Sequence, residues 1–347
     1  MNKKLLALLA ICTFTVATVN AQYFTLRFAG GYAWPGFIGT EKLVGPKIDS
    51  KTAAEDGLIT MANVSEKDST YKQVYGSYGK GMNFTFGFGY MFNPYIGIDL
   101  GVSYLKSATI SVTQDHQMYL PNETNPADPF TATGAYLNCK INTQAYGLSL
   151  MPSIVIQGAK PGWKVYPYAR LGLSLPVYGG LKHTVTIDMD SAFAASQGLI
   201  NYVNQSPYFL GKHTDITLTT EGTISLGVNA SIGVMYKPLP YLSVFAEVNG
   251  QYLNTRAKSS EITQWDADGV SKLDDRGEYR VKFNYVDELT KDSNNPTYNP
   301  NYDKTKPKDD LRPAGPFSNL GINIGITFNL SKSILKDGTT EKAPNKQ

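Results

Sequence analysis

Cysteine is nearly absent: the chain has two, Cys12 and Cys139. Cys12 lies in an amino-terminal stretch that reads as a removable leader, so the mature chain has no intramolecular disulfide to use. Histidine is almost as scarce, with three residues, and no cysteine–histidine spacing suited to a metal occurs. No metal and no cofactor are therefore expected. Charge is thin as well. Asp, Glu, Lys and Arg make up 18% of the chain, below the roughly 25% of ordinary soluble domains. The formal net charge of +3 makes no electrostatic case for nucleic acid. After Gln22 no apolar run reaches the roughly 18 residues of a transmembrane helix, which excludes that mode of membrane crossing. Gly and Tyr, by contrast, are plentiful.

The leader itself is MNKKLLALLAICTFTVATVNAQ. Lys3 and Lys4 form a basic start, Leu5 to Val16 an apolar stretch, and Val19-Asn20-Ala21 a small-residue cleavage site before Gln22. The residue before Cys12 is Ile11 rather than Gly or Ala, so no lipidation is read there. Residues 1–21 are expected to be a signal peptide that exports the rest. Its removal takes away Lys3 and Lys4 and lowers the net charge to about +1.

What fills the mature chain is alternation. In SNLGINIGITFNLS, Leu320, Ile322, Ile324, Ile326, Phe328 and Leu330 alternate with Asn319, Gly321, Asn323, Gly325, Thr327 and Asn329. A period of two is a β-strand with one apolar and one polar face. The polar face is small and neutral, whereas water would be met with Lys, Glu and Asp. GMNFTFGFGYMF and IGIDLGVSY repeat the pattern around Asn93-Pro94-Tyr95, as do residues 23–34, 139–157, 165–181, 217–236 and 242–256. That makes eight strands. Three connections are short (93–95, 158–164, 237–241) and four are long and polar (near 35–78, 113–138, 188–216 and 266–315).

An even strand count, alternating segments and short and long connections on opposite sides predict an all-β fold: an eight-stranded antiparallel transmembrane β-barrel with short periplasmic turns and long extracellular loops. Hydrocarbon cannot satisfy free N–H and C=O groups, so such strands must close on themselves. The apolar parity faces lipid, and the small polar parity fills a narrow lumen. Tyr90, Tyr95, Trp163, Tyr166, Tyr236 and Tyr241 fall by the short turns, and Tyr32, Trp34, Tyr104 and Tyr252 at the loop end, as aromatic belts would. A soluble exported sandwich or lipocalin-like barrel is the alternative, but its solvent face would carry charge. GEYRVKFNYVDEL (277–289) also alternates. Its polar face holds Arg280 and Lys282, so it is expected above the membrane beside 258–265.

The chain resembles the small eight-stranded outer-membrane barrels of the OmpA/OmpX/OmpW type over Gln22 to Leu330. The resemblance implies an outer membrane of the Gram-negative type, a periplasmic carboxyl terminus, and barrel-assembly machinery and lipopolysaccharide as partners. Asn323, Gly325, Phe328 and Leu330 look like the assembly signal of such barrels, although the tail 332–347 follows the barrel unit 22–331.

Four charges interrupt the neutral lumen parity. Arg27, Asp99, Arg170 and Glu247 lie four to six residues up the first, third, fifth and seventh strands, so they share one layer with alternating sign. Buried charges must be paired, and a salt-bridge layer closing the lumen is expected, with Met91, Met235 and Phe245 below it. Lys80, Lys106, Lys140 and Arg256 fall on lipid parity at the loop ends of the second, third, fourth and seventh strands, where they would meet lipid phosphates. No catalytic constellation is read. His116 and His213 fall in loops, and His183 at a strand end near Asp188, Asp190 and Ser191. Asp266 to Gly269 reads as a hairpin turn. The expected role is structural or surface-interacting, with extracellular or envelope proteins as partners and without catalysis. The alternatives are a carrier or narrow, porin-like channel for small hydrophobic molecules and, behind it, a rim-sited lipid-modifying enzyme.

Overall fold

The computed structural model describes residues 23–36, 41–42, 62–65, 70–121, 130–158, 163–190, 212–274 and 277–330. The leader, most of 35–78 and the tail 332–347 fall outside these residues. Thirteen strands organise the fold: β1 (Tyr23–Pro35), β2 (Gly81–Met91), β3 (Ile96–Ser107), β4 (Ile110–Pro121), β5 (Phe130–Gln157), β6 (Val165–Met189), β7 (His213–Gly222), β8 (Gly227–Leu239), β9 (Leu242–Tyr252), β10 (Asn254–Ala267), β11 (Lys282–Val286), β12 (Lys308–Leu311) and β13 (Asn319–Leu330).

Eight of them close a ring. β1 pairs β2, β2 pairs β3, β3 pairs β5, and β5 pairs β6. β6 then pairs β8, β8 pairs β9, β9 pairs β13, and β13 returns to β1. Every pairing is antiparallel, so the ring is a closed up-and-down barrel. Its alternation has the sense that the sequence predicts. Phe84, Phe86, Phe88, Leu171, Ile232, Ile322 and Ile324 are exposed on the outside, while Asn83, Thr85, Ser174, Asn229, Asn323 and Thr327 are buried inside. Among the described residues no helix is long and apolar enough to cross a membrane. At one short connection Asn93 Oδ1 accepts the N–H groups of Tyr95 (2.8 Å) and Ile96 (2.9 Å), which is how an Asn fixes a tight turn.

The long polar connections carry further strands that extend the sheet above the barrel. β5 and β6 run 28 and 25 residues, far beyond the 139–157 and 165–181 segments read from alternation. Their upper halves stay paired from Ala145↔Leu181 to Leu137↔Met189, roughly 30 Å of ladder at about 3.4 Å per residue. β4 adds to β5 on one flank. On the other, β7 adds to β6, β10 to β7, β11 to β10 and, in parallel, β12 to β11. This crown has its own core of Val112, Ile141, Val185, Ile187, Ile216, Leu218, Ile262 and Trp265, with Val281 and Phe283. β11, preceded by one helical turn (Glu278–Val281), pairs Ser259↔Asn284 in the crown, beside 258–265 as its Arg280 and Lys282 imply. Asp268 and Gly269 have φ of 50° and 78° and form a hairpin turn between Ala267 and Val270.

Two devices turn the apolar side chains from the outside of the barrel to the inside of the crown. On β5 the apolar parity itself changes: Tyr146, Leu148, Ile154 and Ile156 are even, Ile141 and Ala145 odd. On β6 the apolar residues stay odd, and a bulge between Pro176 and Tyr178 inserts one residue. A single extra residue swaps faces, so Leu171 and Leu173 point out while Val185 and Ile187 point in. The expected strand 217–236 is also two strands. Thr223 to Leu226 alternate in sequence but join crown strand β7 to barrel strand β8. The expected strand 242–256 is interrupted at Leu253: β9 ends at Tyr252 and β10 starts at Asn254.

Candidate functional site: the ionic layer and the chamber above it

The four inward charges meet as two pairs. Arg27 Nη2 donates to Asp99 Oδ2 at 2.5 Å, and Arg170 Nη2 donates to Glu247 Oε2. All four residues are buried. Glu247 also accepts the Tyr168 hydroxyl at 2.7 Å and Asn323 Nδ2 at 3.1 Å. The Arg170 guanidinium lies 5.2 Å from the Tyr168 ring centre and 5.7 Å from that of Phe245, within cation–π range.

The barrel makes room for these groups with glycine on the neighbouring strand. Arg27 sits opposite Gly87, Asp99 opposite Gly89, Glu247 opposite Gly233, Met91 opposite Gly97 and Phe245 opposite Gly325. A Cβ at Gly87 would stand 2.9 Å from Asp99 Oδ1 and 3.0 Å from Arg27 Nε. Below the layer Met91, Met235 and Phe245 are buried, together with Tyr166, whose hydroxyl points at Met235 Sδ at 3.0 Å. Tyr166 is thus no belt residue. It has the parity of Arg170, which outweighs its place beside the turn. Tyr168 was missed for the same reason: two residues before Arg170, it could have been found by parity alone. Asn323 was read only as part of an assembly signal. Of that set, Gly325 backs Phe245, Phe328 meets Phe28 edge-on at 6.5 Å, and Leu330 is exposed.

Above the layer lies a cavity of about 250 Å³, floored by Arg27, Arg170 and Glu247 and walled by Asn83, Thr85, Ser103, Ser149, Asn249 and Gln251. The walls are cross-linked. Gln251 Nε2 donates to Ser174 Oγ (2.6 Å), Asn319 Nδ2 to Gln251 Oε1 (3.1 Å), and Asn229 Nδ2 to the Leu173 carbonyl (2.6 Å). Tyr78 and Phe317, with ring centres 5.6 Å apart, cap it, and the Tyr78 N–H holds the Pro316 carbonyl at 2.8 Å. The wall has a gap. β6 pairs β8 up to Ser174↔Gly227 and pairs β7 only from Gly180↔Glu221. Between them, residues 175–179 face 223–226, which belong to no strand. Val177, Tyr178, Ile224 and Leu226 around this window are exposed, and the first three also line the cavity.

The four basic residues assigned to lipid phosphates are not brought together. Lys106, exposed on β3, lies opposite Tyr146, at the level of the outer aromatic residues. Lys80 is half-buried below the Ser77–Tyr78 turn. Lys140 is no strand end at the rim but the middle of the crown sheet, opposite Thr113 and Thr186. Arg256 is a β10 residue, 3.8 Å from Asp287. Lys140 belongs to a strand that continues past the barrel, and Arg256 to a separate crown strand that starts at Asn254.

All three histidines stand in strands, and the one at a strand end is His213 rather than His183. His116 lies in β4 and His213 opens β7. His183 lies within β6 and is buried in the crown, its Nδ1 2.9 Å from Thr143 Oγ1. Burial pushes its pKa down to about 4. Asp188 is on the opposite face, where it meets His213 instead: Nδ1–Oδ1 2.6 Å, with Asp215 Oδ2 3.1 Å from Nε2. Hydrogen bonds to Asp188 and then Asp215 raise the His213 pKa. Cys139 is a half-buried crown residue, and burial pushes its thiol up to about 11. Among the described residues no group of three or more His, Cys, Asp and Glu is placed to hold a metal.

No protein-family model matches the chain. No curated protein matches it in sequence. Among solved structures, the crystal structure of the outer membrane protein OprG from Pseudomonas aeruginosa is similar over 89% of this chain and 96% of that one, at 12% identity and a TM-score of 0.36. The eight-strand closure is established by the pairing of the strands themselves.

Proposed function

We propose that this chain is an integral outer-membrane barrel whose lumen is shut by the ionic layer and whose crown presents a folded surface to partners outside the cell, without catalysis. One observation carries the reading: the closed barrel exposes a continuous band of Phe, Ile, Leu and Val on its outside and buries paired charges on its inside. A soluble monomer does not expose an apolar belt of that extent, whereas acyl chains favour it. On this reading the short turns and the carboxyl terminus are periplasmic, lipopolysaccharide surrounds the outer aromatic residues near Lys106, and barrel-assembly machinery inserts the chain. Planar-bilayer recording tests the closed lumen: the wild-type protein is expected to give no stepwise conductance. Steady open-channel currents would contradict it.

A second reading, a carrier for small molecules, is favoured by the cavity above the ionic layer and its side window between residues 175–179 and 223–226. Solutes would then pass between chamber and membrane rather than through the barrel axis.

A further inference from the structure

Three segments meet at the top of the crown. β6 ends at Met189, β7 begins at His213, and β10 leads into the Asp268–Gly269 turn. The Met189 N–H donates to the Lys212 carbonyl at 2.7 Å and the Asp268 N–H to the His213 carbonyl at 2.8 Å, while Asp268 Oδ1 accepts the His213 N–H at 2.9 Å. The backbone of His213 is thus tied to the turn. Its ring lies on the outer face of the sheet between two carboxylates: Asp188, its register partner on β6, and Asp215, two residues along β7. Nδ1 is 2.6 Å from Asp188 Oδ1, and Nε2 is 3.1 Å from Asp215 Oδ2. An ionised carboxylate only accepts hydrogen bonds, and a neutral imidazole has a single N–H. Either neutral tautomer therefore turns one nitrogen lone pair onto a carboxylate oxygen, and the protonated ring alone satisfies both. Other acids nearby have donors of their own. Thr186 Oγ1 donates to Asp215 Oδ1 at 2.8 Å, Asn138 Nδ2 to Asp115 Oδ1, and Gln264 Nε2 to Asp266 Oδ2 at 2.7 Å. Asp190 follows one residue past β6. The shallow pocket around the ring is lined by Asp115, Asn138, Asp188, Met189 and Lys212, of which Lys212 alone opposes a positive charge there. The ring is 53% exposed and open to protons from the medium.

We propose that His213 is a proton-operated clasp on the crown: protonated, it fastens β6, β7 and the 268–269 turn to one another, and on losing its proton it leaves Asp188 and Asp215 as two unneutralised charges that loosen this tip. The hydrogen bonds to Asp188 and then Asp215 hold the folded pKa above the roughly 6.5 of an unfolded histidine. The clasp is therefore complete below about pH 6.5 and is released as the pH rises through the folded value. That is the reverse of the direction at buried His183. The partners of His213 are exposed, so the contribution is small and salt-screened. It governs local opening of the tip, not the stability of the barrel.

Histidine-selective NMR of the full chain in lipid nanodiscs tests the protonation, with His213→Gln identifying the signal. The wild-type ring is expected to titrate above about 6.5. Asp188→Asn and Asp215→Asn, whose amides can donate to a neutral ring, are each expected to lower that pKa. Hydrogen exchange, corrected for the intrinsic rate, tests the release. Protection of the Met189 and Asp268 amides is expected to be roughly threefold higher at about pH 6 than at about pH 9, the scale of an exposed charge pair, and to be equal at the two pH values in His213→Gln. Heat-dependent mobility on a denaturing gel verifies that each variant retains the folded barrel, and the two wild-type measurements stand without any variant. A wild-type His213 pKa at or below about 6.5, a pKa unmoved by both Asn variants, protection in the wild type that does not fall with rising pH, or the same fall in His213→Gln overturns the clasp.

Discussion

Glu247 is held by three donors, from Arg170, Tyr168 and Asn323, and this sets what a single substitution should do. Arg170→Ala leaves a carboxylate in the lumen with two neutral donors and no cation. Breaking a buried pair in this way costs about 3–5 kcal/mol, so the urea midpoint of the barrel in lipid vesicles should fall markedly; an unchanged midpoint would show that the layer contributes nothing to stability. The charges were legible in the sequence because a charge stands out on a face of Gly, Ser, Thr and Asn. Tyr166 and Tyr168 were not, because tyrosine near a strand end also belongs to a membrane belt and only parity separates the two. His183 makes a second residue-scale prediction. Its imidazole is neutral in the folded crown and titrates at about 4, against about 6.5 when unfolded. The unfolded state therefore binds the extra proton first. Stability is full above about pH 6.5 and declines as the pH falls toward 4. Hydrogen exchange at 183–187 should accelerate over that window while exchange at 167–171 does not, and His183→Gln should abolish the difference. Parallel acceleration in His183→Gln would assign the effect to another group.

Among the strands, β1, β2, β3, β9 and β13 could be read almost residue by residue, since lipid outside and a narrow lumen inside impose one rule along their whole length. β5 and β6 obey that rule over half their length and a different one over the rest. The crown core gathers residues from β4, β5, β6, β7 and β10, and no local pattern announces a core assembled from so many segments. The change of parity between Ala145 and Tyr146 was visible in the sequence; the bulge at Val177 was not, because it alters the face without altering the alternation. Deleting Val177 should therefore leave the lower barrel intact and turn the even residues of upper β6, Lys182, Thr184 and Thr186, into the crown core. The expected outcome is a red-shifted Trp265 emission and protease cleavage within the crown, with the heat-modifiable barrel band retained. Unaltered emission and protease resistance would mean that the bulge does not set the facing of the crown.

At the scale of the whole molecule, two bodies share two strands: a closed barrel with an apolar outside, and a sheet above it with an apolar inside. The barrel fits a membrane because every one of its strands has two partners around the ring, and hydrocarbon leaves no other outlet for backbone groups. The crown needs no such closure because water can meet its edges: beyond β4 the sheet continues through residues 62–65 and 70–73, and residues 294–295 hydrogen-bond the far side of β12. The window at residues 175–179 lies where one arrangement gives way to the other, and there the wall is incomplete. All of this depends on which way the barrel side chains face. Nitroxide labels placed one at a time from Leu320 to Phe328, in the otherwise unaltered chain reconstituted into liposomes, read that facing through collisions with oxygen. Oxygen accessibility should alternate with a period of two, high at Ile322, Ile324 and Ile326 and low at Gly321, Asn323 and Gly325. A flat profile, or one with the two sets exchanged, would contradict the account.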